Sequence, residues 1–249
     1  MLEKIVVLAK TYPEKSKKYG ALVCTAGINE QGDFRRLYPV PWNQFFKGNP
    51  AKFSKWDIIA VDTTTDGLRD HREESRKVVH PHMIRSLSSI TTKKQWADRI
   101  AVMNSLDNTS LCEVQRTQRA AERPLEKTLC MVTPRKVNKL LAKPRDCITD
   151  EGEVNCMDGL IQTDLYGNRL PSRLPWVGFT FTCDCADCKG HRMMCIDWEF
   201  QELYRREGED KAREKLEWLK QRDLRFICGT IWNHPFSWVV VSLLYPPKM

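Results

Sequence analysis

The stretch ALVCTAGINEQGDFRRLYPV, Ala21–Val40, decides the fold. Ala21–Gly27 is an apolar run with β-branched residues, and Asp33–Val40 is a second run. Between them lies Asn29-Glu30-Gln31-Gly32, a polar turn that suits a hairpin. Pro39 and Pro41 end the second run or hold it at a sheet edge. Working outward, Lys4–Ala9 and Trp56–Asp62 (WDIIAVD) are two further short strands. Strands this short and this evenly spaced predict a small barrel.

Beyond residue 84 the character changes. Gln95–Asn104 sets Trp96, Ile100 and Met103 near helical spacing, and Leu111–Arg123 is a polar, basic segment. Lys136–Leu141 reads as a short helix, with Pro134 as its start signal. After residue 170 strands resume at Trp176–Cys183 (WVGFTFTC). Glu199–Gln221 follows as an amphipathic helix broken at Gly208. Leu224–Ile231 and Trp238–Tyr245 close the chain as strands. An apolar strand carrying a cysteine and a later strand ending Leu-Tyr-Pro occur in both halves, at Cys24/Tyr38 and Cys228/Tyr245. That pattern is a weak internal repeat.

The 249 residues suffice for one large domain or two small ones, with a core that needs no disulfides. Lys and Arg outnumber Asp and Glu by 40 to 32, a net charge of +8. The excess is local. Residues 113–145 hold nine Lys/Arg against three Glu, whereas residues 146–170 hold six acids and one Arg. The first segment is a candidate phosphate-contacting surface; a solvated helix face fits the same charges. The second segment reads as a solvated loop. No run approaches ~20 apolar residues, so no membrane span is expected. No signal peptide is recognisable at the start. The expected compartment is the cytoplasm, where cysteines are reduced, buried or metal-bound.

Three strings in the first half belong together: Cys24-Thr25-Ala26-Gly27-Ile28, Arg36-Leu37-Tyr38-Pro39-Val40-Pro41, and Asp70-x-Arg72-x-Glu74-Ser75. In the second half stand Cys188-x-x-His191, Asp197-Trp198-Glu199 and Tyr245-Pro246-Pro247-Lys248. In this order they resemble a prokaryotic family described as dual-OB-containing proteins. The resemblance implies a mainly β chain with helical insertions, built as two small OB-like barrels. With the strand reading it sets an N-terminal barrel at residues 1–83. A helical basic segment and acidic linker follow at 84–170, then a C-terminal barrel at 171–249. It also implies an accessory nucleic-acid-binding role in antiviral defence assemblies, with protein partners in a larger complex. It transfers no catalytic residue.

The sharpest chemical signal is Cys183-x-Cys185-x-x-Cys188-x-x-His191. Thiolate and imidazole ligands at close spacing select zinc and close a tetrahedral structural site. Cys195 is an alternative fourth ligand, so the expected cofactor is structural Zn2+. The second signal is the strand Phe34-Arg35-Arg36-Leu37-Tyr38. Alternation puts Phe34, Arg36 and Tyr38 on one face and Arg35 and Leu37 on the other. On an OB barrel, bases stack on exposed aromatics and cations follow the phosphates. The expected nucleic-acid contacts are therefore Arg35, Arg36, Tyr38 and Arg72, with Arg116, Arg119, Arg123, Arg135, Lys136 and Lys139 from the basic segment. DNA and RNA are not distinguished. Asp70, Glu73 and Glu74 beside His71 allow a metal-dependent nuclease; a salt-bridged loop, with Arg72 and Arg76 pairing the acids, fits the same residues. A subunit that docks on a protein partner is the other alternative. Gly-rich phosphate loops, nucleophile elbows and His-Glu-x-x-His are absent from the sequence.

Overall fold

Leu2–Lys10 forms β1, and its side chains divide between two cores. Ile5 and Val7 join one apolar cluster, while Val6 and Leu8 join another. This split follows from the period of two along a strand and describes a strand covered on both faces. The structure, a computed structural model, describes residues 1–16, 20–46, 48–70, 72–121, 124–125, 127–143, 176–232 and 234–248. The segment expected as an acidic linker, 146–170, lies outside them.

Five strands close a ring. After β1 come β2 (Glu14–Ser16) and β3 (Gly20–Leu22), a small side hairpin, then β4 (Thr25–Ile28), β5 (Phe34–Tyr38), β6 (Asp57–Thr64) and β7 (Ser75–Val78). Around the ring the order is β1-β4-β5-β7-β6 and back to β1. Only β5 and β7 are parallel neighbours; the other pairs are antiparallel. With the side hairpin set aside, that is a 1-2-3-5-4 closed Greek-key barrel of the OB type. An eighth strand, β8 (Arg85–Ser89), extends the sheet from β6. The turn at Asn29–Gly32 connects β4 to β5 as the sequence predicts. Ala21–Gly27 is not one strand, however: it is broken at Val23–Cys24, where the chain passes from the side hairpin into the ring. Pro39 ends β5 as expected, but β5 is no edge, since β4 and β7 flank it. Gly27 is required by a close approach, because a Cβ there would lie 2.1 Å from the Val6 carbonyl oxygen.

Two helices follow, α1 (Lys93–Asn104) and α2 (Leu111–Ala121). The start of α1 is a left-handed turn: Lys94, Gln95 and Trp96 have φ of 50°, 54° and 69°. The chain then builds a second ring from β9 (Leu129–Val132), β10 (Pro134–Lys143), β11 (Trp176–Cys183), β12 (His191–Met194), β13 (Arg225–Ile231) and β14 (His234–Leu244). β9 and β10 form one strand bent at Thr133. It pairs with β13 through its first part and with β11 through its second. β11 pairs with β12, and β13 with β14. A parallel bridge, Cys195 to Val240, closes the circuit, with Ile196 N donating to Val240 O at 2.8 Å. The order and the position of the parallel contact repeat those of the first ring. α3 (Trp198–Lys220) fills the connection between the third and fourth strands of this ring and breaks at Gly208 (φ 83°), as predicted.

Two more sequence readings need correction. Lys136–Leu141 is strand, not helix: Val137 and Leu140 are buried through pairing with Phe181 and Phe179 of β11. Their spacing mimics a helix because a register shift falls between Val137 and Lys139. The repeat is real as topology, but its markers do not correspond. Cys24 precedes the second strand of its ring, whereas Cys228 lies in the fourth strand of the other.

The rings share a seam. Tyr12 N donates to Ile196 O at 2.9 Å, and Ser242 Oγ donates to Leu8 O at 2.8 Å. Asp197 caps α3 by accepting from Phe200 N at 3.0 Å, and it also accepts from Leu243 N at 3.2 Å. Lys55 of the first ring donates to Leu243 O and lies 3.4 Å from the Asp197 carboxylate. The next residue, Trp198, lies in the core of the first ring, stacked on Trp42 with centroids 4.4 Å apart.

Candidate metal centre and nucleic-acid interface

Cys112 stands in the first turn of α2, Cys183 ends β11, Cys188 lies in the following turn, and His191 opens β12. Gly190, at φ 94°, lets the chain reverse between the last two. The Nε2 atom of His191 is 3.2 Å from Cys112 Sγ, 3.3 Å from Cys183 Sγ and 3.5 Å from Cys188 Sγ. All four donor atoms lie within 4.8 Å of one another. In a tetrahedral site with zinc–sulfur near 2.3 Å and zinc–nitrogen near 2.0–2.1 Å, nitrogen and sulfur stand about 3.5 Å apart. The three nitrogen–sulfur distances are close to that value, and the four atoms could hold a metal ion.

The electrostatics fit the same use. Burial lowers the His191 pKa and favours the neutral imidazole that a metal requires. Burial pushes the Cys112 thiol up to about 12, reinforced by its hydrogen bonds with Cys185 and Cys188. Cys183 is also pushed up by burial, against the backbone N–H groups of Leu111 and Cys112 at the start of α2, which favour its thiolate. At Cys188 burial is outweighed by N–H groups of Cys183 and Gly190, and the thiol is lowered. A cation at the centre of the group would favour all three thiolates.

Three of the four expected ligands therefore converge: Cys183, Cys188 and His191. Cys185 is half-buried at the margin, and Cys112 completes the group. Cys195 lies in the interior of the second barrel, fully buried, away from the cluster.

The arginines expected on the nucleic-acid face are mostly engaged inside. Arg36 is 5% exposed; it donates to Glu74 and to Thr128 Oγ1 at 3.3 Å, beneath the second ring. The alternation is as read, with Leu37 inside the ring and Arg36 outside, but this outer face is the seam. Arg35 pairs with Glu3 at 2.9 Å. Arg72 forks onto Asp70 and donates to Thr230 O at 2.9 Å across the seam. Tyr38 is 55% exposed. Arg116, Arg119, Arg135, Lys136 and Lys139 are exposed, while Arg123 lies outside the described residues.

The nuclease constellation does not assemble among the described residues. Asp70 is held by Arg72 and by Ser75 Oγ at 2.6 Å; Glu74 is buried and accepts from Thr128 N at 3.1 Å; Glu73 is exposed. Arg76 donates to the carbonyls of Glu73 and Ser75 rather than to a carboxylate. His71 lies outside the described residues.

A family model described as Domain of unknown function (DUF8757) matches residues 107–249, more than half of the chain. The chain belongs to that family. A second model, Domain of unknown function (DUF8758), matches residues 1–105 ahead of the DUF8757 part. No curated protein matches the chain. Among solved structures, the tetrameric p202 HIN2 is similar at 9% identity and a TM-score of 0.32, covering 100% of this chain and 92% of that one.

Within the DUF8757 part, two features escape sequence reading. Cys112 lies 79 residues from His191, and no local spacing marks it as a ligand. The hairpin between β13 and β14 exposes Trp232 and Phe236, by 45% and 57%, on either side of the exposed His234. Gln118 of α2 holds this hairpin, donating to Pro235 O at 2.9 Å and accepting from Trp238 Nε1 at 2.9 Å. No helix among the described residues is long and apolar enough to cross a membrane.

Proposed function

We propose that the chain binds nucleic acid without chemistry of its own, and that its Cys/His group holds one structural zinc ion. The observation that carries the reading is the β13–β14 hairpin. On OB barrels the loop between the fourth and fifth strands borders the nucleic-acid face. Here that loop presents Trp232 and Phe236, side chains on which bases stack in a sequence-tolerant way. α2, bonded to the hairpin, brings Arg116 and Arg119; β10 exposes Arg135, Lys136 and Lys139 for phosphates. The ion would pin the start of α2 to the β11–β12 turn and so fix where these cations sit. Three thiols and one imidazole support zinc and a closed, non-catalytic site. The resemblance to dual-OB proteins supports a role within a prokaryotic defence assembly, and reduced ligand cysteines fit the cytoplasm.

Fluorescence anisotropy with labelled dT12 and rU12 tests the reading. Trp232→Ala combined with Phe236→Ala should weaken binding at least tenfold, since stacking contributes about 1–3 kcal/mol per base. Affinity should also fall steeply with salt. No binding by the wild-type chain at low salt, or full binding by the double variant, would overturn it.

One observation favours a protein partner as well. Every residue of β8 is exposed, and Leu87 on it and Met83 before it are 51% and 59% exposed. Such an edge invites strand pairing by another chain. Introducing Leu87→Lys should abolish capture of that partner in pull-downs from the native host and leave dT12 affinity unchanged.

A further inference from the structure

A second concentration of cations lies on the seam, apart from the hairpin. Arg99 of α1 has its guanidinium centre 4.9 Å from the Trp56 ring and 5.0 Å from that of Trp96. Arg222, just beyond α3, lies 6.0 Å from Trp96 and 4.9 Å from Trp218. Lys215 Nζ is 3.7 Å from the Trp218 ring and 5.0 Å from that of Tyr245. Tyr245 itself touches both indoles, at 5.8 Å and 5.6 Å.

The aromatic rings hold the cations by their flat faces. Each guanidinium is further fixed through Nε: Arg99 Nε donates to Ile90 O at 2.7 Å, and Arg222 Nε donates to Tyr245 O at 3.3 Å. Among the described residues, no hydrogen-bond acceptor meets their terminal Nη groups or Lys215 Nζ, and no carboxylate lies within ion-pair distance of these three side chains. Glu199, which acts on Arg99 and Lys215 from a distance, is already the 3.9 Å partner of Lys55, and Asp57, which also acts on Arg99, already accepts from Ser54 N and Ser86 Oγ. A stacked arginine keeps its in-plane N–H edge for an oxyanion, and that edge matches phosphate in a bidentate manner.

The backbone adds an independent observation. Three successive non-glycine residues, Lys94–Trp96, adopt left-handed geometry. Each costs roughly 1–2 kcal/mol. The turn ends on Trp96, whose ring lies 5.0 Å from Arg99 and 6.0 Å from Arg222. Strain held by surrounding structure clusters at ligand clamps.

We propose that Arg99, Lys215 and Arg222, fixed by Trp96, Trp218 and Tyr245, form a phosphate-binding site on the seam between the two barrels. Its ligand is a phosphate group carried by a free nucleotide or by a nucleic-acid strand. Because each of these rings already engages a cation, recognition rests on the phosphate and not on base stacking.

Calorimetric titration of the full chain with pyrophosphate, ATP and dT12 at low salt tests this. All three should bind, and Lys215→Gln combined with Arg222→Gln should weaken each at least tenfold. If that double variant unfolds, Arg222→Lys, which keeps the charge and loses the fork, should weaken each probe at least threefold. The hairpin pair Trp232→Ala and Phe236→Ala should leave pyrophosphate binding unchanged, which separates this site from the hairpin. ATP binding as tight as dT12 identifies a nucleotide site; dT12 binding at least tenfold tighter, with loss in the seam variants, identifies a strand site. No pyrophosphate or ATP binding by the wild-type chain overturns the proposal, as does unchanged affinity in a folded seam variant.

Discussion

Cys112 Sγ lies 3.2 Å from His191 Nε2, joining the first turn of α2 to the first residue of β12. A helix that precedes the second ring in sequence is thereby tied to the turn between that ring's second and third strands. Apolar packing of Leu111 and Val114 supports the same junction, and an ion held by the Cys/His group would strengthen it.

Metal content follows directly. The chain purified under reducing conditions should carry close to one zinc ion, measured by mass spectrometry of the metal. Cys112→Ser and Cys188→Ser should each lose most of it, whereas Cys185→Ser should retain it. Chelation should destabilise the second half first, since ligand binding and folding are coupled. Retention of full zinc by Cys112→Ser would sink the assignment of that residue.

Glu74 is the next test. Its carboxylate is 5% exposed and meets Arg36 of its own ring and the N–H and hydroxyl of Thr128, which leads into the other ring. Glu74→Ala leaves Arg36 buried without its counter-charge, a change that costs about 3–5 kcal/mol. Urea unfolding measures it; a loss under about 1 kcal/mol would show that water replaces the carboxylate.

Asp70 ties stability to acid. Burial pushes its carboxyl upward, but hydrogen bonds from Arg72 and Ser75 outweigh burial and hold the folded value below the ordinary one. Its contribution is therefore complete above the ordinary carboxylate range and disappears as pH falls through the depressed folded value. Asp70→Asn should be less stable than wild type at neutral pH, with the gap closing in strong acid. A gap independent of pH, followed by thermal unfolding, contradicts this.

Lys10 behaves in the opposite sense. Burial lowers its pKa to about 8, with Glu199 opposing and Lys55 assisting. The fold favours the neutral amine, so the charged form weakens the structure below that value. The deficit is relieved as pH rises from about 8 towards the ordinary lysine value of 10.5. Carbon-13 NMR of methylated lysines should show one resonance titrating near 8 that is absent from Lys10→Met. Lys10→Met should also be more stable at pH 7. An ordinary lysine titration would refute the depressed value.

The strands β1, β5, β6, β11, β13 and β14 and the Asn29–Gly32 turn were legible because a period of two and turn chemistry are local properties, whereas the short strands β7, β8, β9 and β12 went unread. So was the break of α3 at Gly208. Lys136–Leu141 was misread because a register shift gave strand residues an apparent helical spacing. Arg36 was misread for a different reason. Alternation places it outside its ring correctly, but no single strand reveals that a second ring covers that face. Cys183, Cys188 and His191 could be found because their spacing is short. Cys112 reaches them only through tertiary packing, and the left-handed turn at Lys94–Trp96 has no glycine to announce it.

Trp198 opens α3 in the second ring yet completes the apolar core of the first, against Trp42 and Phe45. The first half does not own all of its interior, whereas the core of the second ring is built from second-half residues. A chimaera that grafts residues 1–105 onto the second half of a distant homologue would inherit a socket without its plug, unless Trp198 were transplanted with them. Substitutions at these two positions should therefore be tolerated in concert and rejected singly, which makes the pair a unit of inheritance for the whole chain.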